Sequence, residues 1–84
     1  ENPMVKQVKD KLTSMYSNDN RITNIHDIRI VNTNNHNLIL FGVSVSIGMT
    51  RKDIFDLETE LQKKLSEEYE NFEIKAKISP IYKN

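Results

Sequence analysis

The chain has 84 residues, the length of one small domain, which hides only about two thirds of its unfolded surface and often completes its core against a partner. Twelve basic residues balance twelve acidic ones, and a formal charge of zero argues against a nucleic-acid binder, because such proteins need a basic excess to displace counterions from phosphates. Cysteine is absent, which excludes disulfides, zinc–thiolate sites and thiol catalysis.

The first predicted element is a helix over residues 3–16. Pro3 suits the first turn of a helix, and Asn2 before it suits the N-cap position. Apolar residues then recur at helical spacing, namely Val5, Val8, Leu12 and Met15. Residues 17–20 read Ser-Asn-Asp-Asn, and these residue types favour turns over helix interiors, so they end the helix.

Two strands joined by a polar turn come next. Residues 25–31 are rich in β-branched side chains and predict the first strand, while the Asn-rich run 32–37 predicts a tight turn. Residues 38–47 predict a second, longer strand. There Phe41, Val43, Val45 and Ile47 alternate with Gly42, Ser44 and Ser46, which is the period of a half-buried strand. The two strands are expected to form an antiparallel hairpin.

A second helix and a third strand complete the chain. Thr50, followed three residues later by Asp53, resembles a capping box and predicts the start of a helix over residues 51–69. Its apolar stripe consists of Ile54, Leu57, Leu61 and Leu65. Phe72, Ile74, Ala76 and Ile78 then alternate with polar residues, which predicts a strand that ends at Pro80.

These elements predict a single α+β domain over residues 1–84, with the order αββαβ. The second strand, second helix and third strand predict a right-handed crossover, so the third strand runs parallel to the second. Two helices can cover one face of this three-stranded mixed sheet. The opposite face is expected to be polar and open to solvent or to a partner, with Gly42, Ser44, Ser46, Lys75, Lys77 and Ser79 on it.

Several side chains are candidates for a functional site. His26 is either a metal ligand or a strand histidine that bonds to backbone or to Asp27, and His36 lies in the Asn-rich turn, where it is expected to be solvated. Asp27 and Arg29 are two apart on a strand, so they share a face and could form an ion pair within the hairpin or between protomers. A basic patch for anions, made of Lys75, Lys77 and Lys83, is a minor alternative.

Residues 25–29, Ile-His-Asp-Ile-Arg, resemble the "V/A-H-D-L-R" opening of the cytosolic domain of cation diffusion facilitators, which are zinc, iron, manganese and cadmium antiporters. The hairpin, the helix after Thr50 and the closing run 75–80 follow in the same order, so the resemblance covers about the last 60 residues. It implies a ferredoxin-like, metallochaperone-like fold. It also implies a cytosolic domain that pairs two protomers of a divalent metal-cation efflux transporter and regulates it.

The resemblance implies partners and a location as well. The partners are a second copy of the chain, divalent metal ions and the transmembrane domain of the same transporter, so the chain is expected to be a fragment of a longer protein on the cytoplasmic side of the cell membrane. No apolar run in the chain approaches the roughly 20 residues that span a bilayer. The residues expected at the dimer interface are Asp27, Arg29, Gly42, Ser44, Lys75 and Lys77.

The metal ligands of the family are carried over only in part. His26 matches the histidine of the motif, whereas the other ligand positions fall at Gly42, Phe55, Lys77 and Ser79, none of which is a metal-binding type. Zinc sites need three or four His, Cys or carboxylate ligands. The expectation is therefore a weakly bound divalent metal such as Zn²⁺ at His26, or none.

Two other function classes stay open from the sequence. One is a stand-alone ferredoxin-like module that binds a small regulatory ligand. Six hydrophobic spans encoded upstream of Met4 would exclude this alternative. The other is an acylphosphatase-like enzyme, which needs an arginine in a glycine-containing phosphate loop. The chain has no such loop and no catalytic triad or HExxH motif, so the prediction is that it is not an enzyme.

Overall fold

The computed structural model describes residues 2–80, which form two helices and one three-stranded sheet. In chain order the elements are α1 (Pro3–Tyr16), β1 (Ile22–Asn32), β2 (Asn37–Val45), α2 (Arg51–Glu68) and β3 (Glu73–Pro80). The central strand is β2, with β1 antiparallel to it on one side and β3 parallel to it on the other. The predicted αββαβ ferredoxin-like fold with a mixed sheet is confirmed.

Both helices begin at the caps that the sequence predicts. The side-chain oxygen of Asn2 accepts a hydrogen bond from the Met4 amide at 2.9 Å. The Thr50 hydroxyl accepts from the Asp53 amide at 3.0 Å, and the Asp53 carboxylate accepts from the Thr50 amide at 3.4 Å, which completes a capping box. Caps of this kind contribute about 0.5–2 kcal/mol each, because they satisfy amides that have no partner inside the helix.

The core lies between the helices and one face of the sheet. α1 packs against β1 and α2 packs against β3, so the helices share one face. The buried apolar side chains come from all elements except β1, namely Val8, Leu12, Tyr16, Ile39, Phe41, Val43, Val45, Leu57, Leu61, Leu65, Ile74 and Ala76. Within residues 2–80, no helix combines the length and the apolar character that crossing a membrane requires.

Two bulges shape β1, which begins three residues earlier than the strand predicted over 25–31. Its register against β2 shifts between Ile22 and Asn24 and again between His26 and Arg29. Each bulge inserts one extra residue and reverses the facing of the side chains that follow. Four isoleucines therefore pack toward the helices although most of them are three residues apart, namely Ile22, Ile25, Ile28 and Ile30.

The predicted end of the second strand is wrong by two residues. β2 stops at Val45, which pairs with Ile22 on one side and with Pro80 on the other. Both neighbouring strands end there, so the ladder stops at Val45, and beyond it the Ser46 amide donates to the Arg21 carbonyl at 3.2 Å. The side chain of Ile47 is 62% exposed instead of half-buried, and Gly48 then turns the chain with a φ of 105°.

Candidate functional site

The face of the sheet that the helices leave uncovered, called here the open face, contains four rows of residues. Each row takes one residue from each strand, because cross-strand partners point to the same side of a sheet. The rows are Asn24–Ser44–Ser79, His26–Gly42–Lys77, Arg29–Leu40–Lys75 and Val31–Leu38–Glu73. The two middle rows line a concavity of about 540 Å³ to which all three strands contribute.

His26 occupies the centre of this face, with both ring nitrogens engaged. Its Nδ1 lies 3.0 Å from a carboxylate oxygen of Asp27, and its Nε2 lies 3.0 Å from the Ser44 hydroxyl. A carboxylate only accepts, so Nδ1 carries a proton and donates it, whereas the Ser44 hydroxyl can either donate to Nε2 or accept from it. The arrangement matches the structural alternative for His26, in which the ring bonds to its neighbour Asp27.

Gly42 is the residue that lets this ring lie flat on the sheet. A Cβ atom at position 42 would be 2.5 Å from Cε1 of His26 and 2.8 Å from its Nδ1, which are distances that real Cβ atoms do not show. The bare backbone of glycine thus forms the floor under the imidazole.

The sequence-based expectation that the whole polar face lies open is wrong for Gly42 and Ser44. Both are buried, and Ser44 is only 8% exposed. The imidazole of His26 covers Gly42, and its Nε2 is hydrogen-bonded to the Ser44 hydroxyl. On the same strand pair, the Thr23 hydroxyl donates to the Ser44 carbonyl at 3.0 Å.

The predicted ion pair between Asp27 and Arg29 does not form within the chain. Asp27 stands in the second bulge with a φ of 55°, so the simple alternation that would align the two side chains is broken. Its carboxylate contacts His26 instead. Both Asp27 and Arg29 line the concavity, and an ion pair between protomers stays a prediction.

Positive charge dominates the concavity. Arg29, Lys75 and Lys77 line it together with a single carboxylate, that of Asp27. The other acid on the open face, Glu73, lies 3.3 Å from His36 of the turn. The third lysine of the predicted basic patch, Lys83, lies outside the described residues.

The residues at the family's ligand positions do not fit a metal site. Of these positions only His26 offers a ligand, since glycine and phenylalanine have none to give and Lys77 places a cation beside it. Phe55 lies on α2 with its side chain 64% exposed. Among residues 2–80, no three His, Cys, Asp or Glu side chains come together as a group that could hold a metal ion.

A second charged cluster, called here the corner network, joins α1, the start of β1 and α2. The Tyr16 hydroxyl donates to Glu60 at 3.1 Å, and the Arg21 guanidinium contacts the Asp19 carboxylate at 2.6 Å and Glu60 at 3.4 Å. Lys64 lies 3.8 Å from Glu60 and 5.7 Å from the Tyr16 ring centre. Glu60 and Lys64 are four residues apart on α2, so their pairing is the one contact of this network that helical spacing by itself indicates.

The corner network shifts the titration of its members. Hydrogen bonds from Arg21 hold the pKa of the Asp19 carboxyl below its usual value, against the opposing effect of partial burial. Burial, followed by the hydrogen bond to Glu60, raises the pKa of the Tyr16 hydroxyl. These partners all lie within one chain, so the cluster stabilises the packing of α1, the start of β1 and α2.

The fold is shared with solved structures from two metal transporters. One similar solved structure is CzrB, for which zinc transport has been proposed; its TM-score is 0.82 at 16% identity, over 98% of this chain and 99% of that one. The zinc form of CzrB gives a TM-score of 0.81 at the same identity, over 96% and 91% of the two chains. The metal-bound C-terminal domain of the CzcD transporter from Thermotoga maritima gives 0.76 at 16% identity, over 95% and 94%.

Comparison of sequences adds nothing to this likeness. No family model matches the chain, and no curated protein matches it in sequence. The similarity to the solved structures therefore shows a common fold, and it confirms at the level of the fold the resemblance that residues 25–29 and the element order predict.

Proposed function

We propose that this chain is the cytosolic C-terminal domain of a divalent metal-cation transporter of the cation diffusion facilitator type, and that it pairs two protomers. The observation that carries the proposal is the likeness to CzrB, which extends over 98% of this chain and 99% of the other. A second support is independent of it, because the His-Asp-Ile-Arg motif falls in the bulge of β1 at the centre of the open face.

The open face is the surface proposed for pairing. Within residues 2–80 the core lies entirely on the helix side of the sheet, and none of these residues forms a layer over the open face. Its last two rows supply apolar area, from Val31, Leu38 and Leu40, next to the concavity. An apolar patch beside charged residues is typical of a protein–protein interface.

The role proposed for the domain is mechanical and not catalytic. Two paired domains set the spacing of the membrane domains attached to them, and a ligand regulates transport only if it binds one arrangement of the pair more tightly than the other. The domain would lie at the cytoplasmic side of the membrane, and the metal ion would be cargo of the membrane domain.

Sedimentation equilibrium tests the pairing. We expect the chain to have twice its 9.8 kDa monomer mass at micromolar concentrations. Val31→Glu, which adds a charge to the open face on an edge strand, should weaken the dimer at least tenfold. Phe55→Glu is the control, since it adds the same charge at an apolar residue of α2 that is 64% exposed, against 37% for Val31, and it should leave the dimer intact. A monomer at high concentration would refute the proposal, and dissociation by Phe55→Glu alone would move the interface to α2.

Zinc binding through His26 stays a prediction, and calorimetry tests it. A single imidazole whose nitrogens already bond to Asp27 and Ser44 lacks the ligand number for a tight site. We therefore expect only weak binding of zinc, manganese or iron(II) to the wild type. His26→Ala should remove at most that weak binding. Tight binding that His26→Ala abolishes would show that a metal centre exists here.

A further inference from the structure

The cations of the concavity have no partners among the residues that the structure describes. Among residues 2–80, Arg29, Lys75 and Lys77 form no ion pair and no side-chain hydrogen bond. The same holds for the scattered cations Lys9, Arg51 and Lys63, whereas the remaining ones lie within 4.0 Å of a carboxylate. Three positive charges thus surround one cavity that contains one carboxylate, although the whole chain is neutral. Like charges that share a surface repel one another, so folding alone does not explain their clustering.

The register of the sheet brings the three cations together. Arg29 and Lys75 stand in one row on either side of Leu40, and Lys77 stands in the neighbouring row beside Gly42. Strands lie about 4.8 Å apart and residues two apart on a strand about 7 Å, so the three Cα atoms form a triangle with sides of roughly 7–12 Å. The long side chains of arginine and lysine can reach a common point above such a triangle.

The rest of the lining suits an anion of small size. Leu40, Gly42 and Ala76 add lining without charge, and the Ser79 hydroxyl, which also lines the cavity, adds a hydrogen-bond donor. The one carboxylate, that of Asp27, accepts from Nδ1 of His26, and its side chain is 75% exposed. It leaves a net charge of two positive units around the cavity.

We propose that the concavity of the open face binds a phosphate-type oxyanion. Arginine presents a planar fork of donors that matches two phosphate oxygens, and lysine supplies point charges to the others. The site would thus hold an anion on the surface where a metal was expected from the resemblance. All its donors come from one chain, so the site is complete without a second copy.

Calorimetric titration of inorganic diphosphate into the 84-residue chain tests the site. We expect saturable binding to one site per chain. Lys77→Gln and Arg29→Gln should each weaken it by roughly a factor of five or more, because a charge-assisted hydrogen bond is lost. Lys63→Gln is the matched control, since Lys63 is an exposed lysine of α2, on the helix side of the sheet, and it should leave the affinity unchanged.

A variant of opposite sign sharpens the test. Asp27→Asn removes the only carboxylate of the cavity and keeps a residue type that tolerates a positive φ, so it should fold normally and bind diphosphate several-fold more tightly. Absence of saturable binding to the wild type would overturn the proposal. Equal weakening by Lys63→Gln and Lys77→Gln would also overturn it, because nonspecific attraction would then explain the binding.

Two sources can supply such a phosphate group, and vesicles distinguish them. Wild-type chain is sedimented with phosphatidylcholine vesicles that contain one fifth phosphatidic acid, with and without free diphosphate. Sedimentation that diphosphate reverses and Lys77→Gln weakens would identify a lipid headgroup as the source. Diphosphate binding with no sedimentation would identify a free phosphate compound. Sedimentation that neither change affects would exclude the lipid headgroup as a ligand of this cavity.

Discussion

The corner network and the open face differ in whether their charged side chains have partners of opposite sign. In the corner network every charged member has a partner of opposite sign, and the contacts join α1, β1 and α2. On the open face three cations have no such partner within residues 2–80, and they surround a cavity. Contacts made on folding account for the first cluster. They do not account for the second, which is why the open face is the better candidate for binding.

The largest expected change in stability comes from removing Arg21, the cation of the corner network, and it is compared with the removal of Lys77 from the open face. Arg21→Met removes the side-chain hydrogen bonds to Asp19 and Glu60 and leaves the partly buried Asp19 carboxylate without its charged partner, which should lower the free energy of unfolding by about 2 kcal/mol. Lys77→Met, the matched change on the open face, should alter it by less than about 0.5 kcal/mol. Urea unfolding of both variants measures the two changes in unfolding free energy. Equal decreases would show that the two regions do not differ in this respect.

A smaller effect is expected from Gly42→Ala. The added Cβ displaces the His26 ring and with it the bonds to Asp27 and Ser44, at a cost of about 1 kcal/mol. In a His26→Ala background the ring is gone, so the same change should cost close to nothing. The double-mutant cycle, measured by urea unfolding, therefore isolates the contact between the ring and the glycine. A cost that is the same in both backgrounds would contradict the stacking of the ring on position 42.

The smallest expected effect is the dependence of the unfolding free energy on acidic pH. The folded-state pKa of Asp19 is lowered, so the stability that this carboxylate contributes is present above the pKa of the unfolded chain, about 3.9, and is lost as the pH falls below it. The difference in unfolding free energy between wild type and Asp19→Asn should be constant from pH 5 to 8 and should shrink below about pH 4. Asp27→Asn on the open face is the control. A difference for Asp19→Asn that persists at pH 2.5 would contradict the proposed ion pair.

Local signals predicted most of the fold. The bounds of α1 and the start of α2 follow from the caps at Asn2 and Thr50 and from apolar residues at helical spacing, all of which act within a few residues. The ends of β1 and β2 were harder to predict, since a strand ends where its neighbours end. The isoleucines of β1 did carry a signal for the bulges, because a spacing of three keeps one face only if an extra residue is inserted.

The candidate site was predicted in its parts but not in its assembly. His26, Asp27, Arg29, Lys75 and Lys77 were all identified from the sequence, as was the face that most of them share. The stacking of His26 on Gly42 was not, because it depends on a pairing between two strands. Neither was the joining of Arg29 to the two lysines, which lie more than 40 residues away in the chain and come near only across β2.

The sequence by itself determined the element order, the helix caps and the apolar stripes, since these depend on neighbours within one turn or one strand. Only the tertiary structure decided that the histidine of the motif lies bonded over a glycine and that three cations share a cavity. Both depend on the register between strands, which is set when the whole sheet packs on its helices. In a chain whose charges sum to zero, helix packing thus pairs the charges of the corner network, and strand register gathers three cations on the open face.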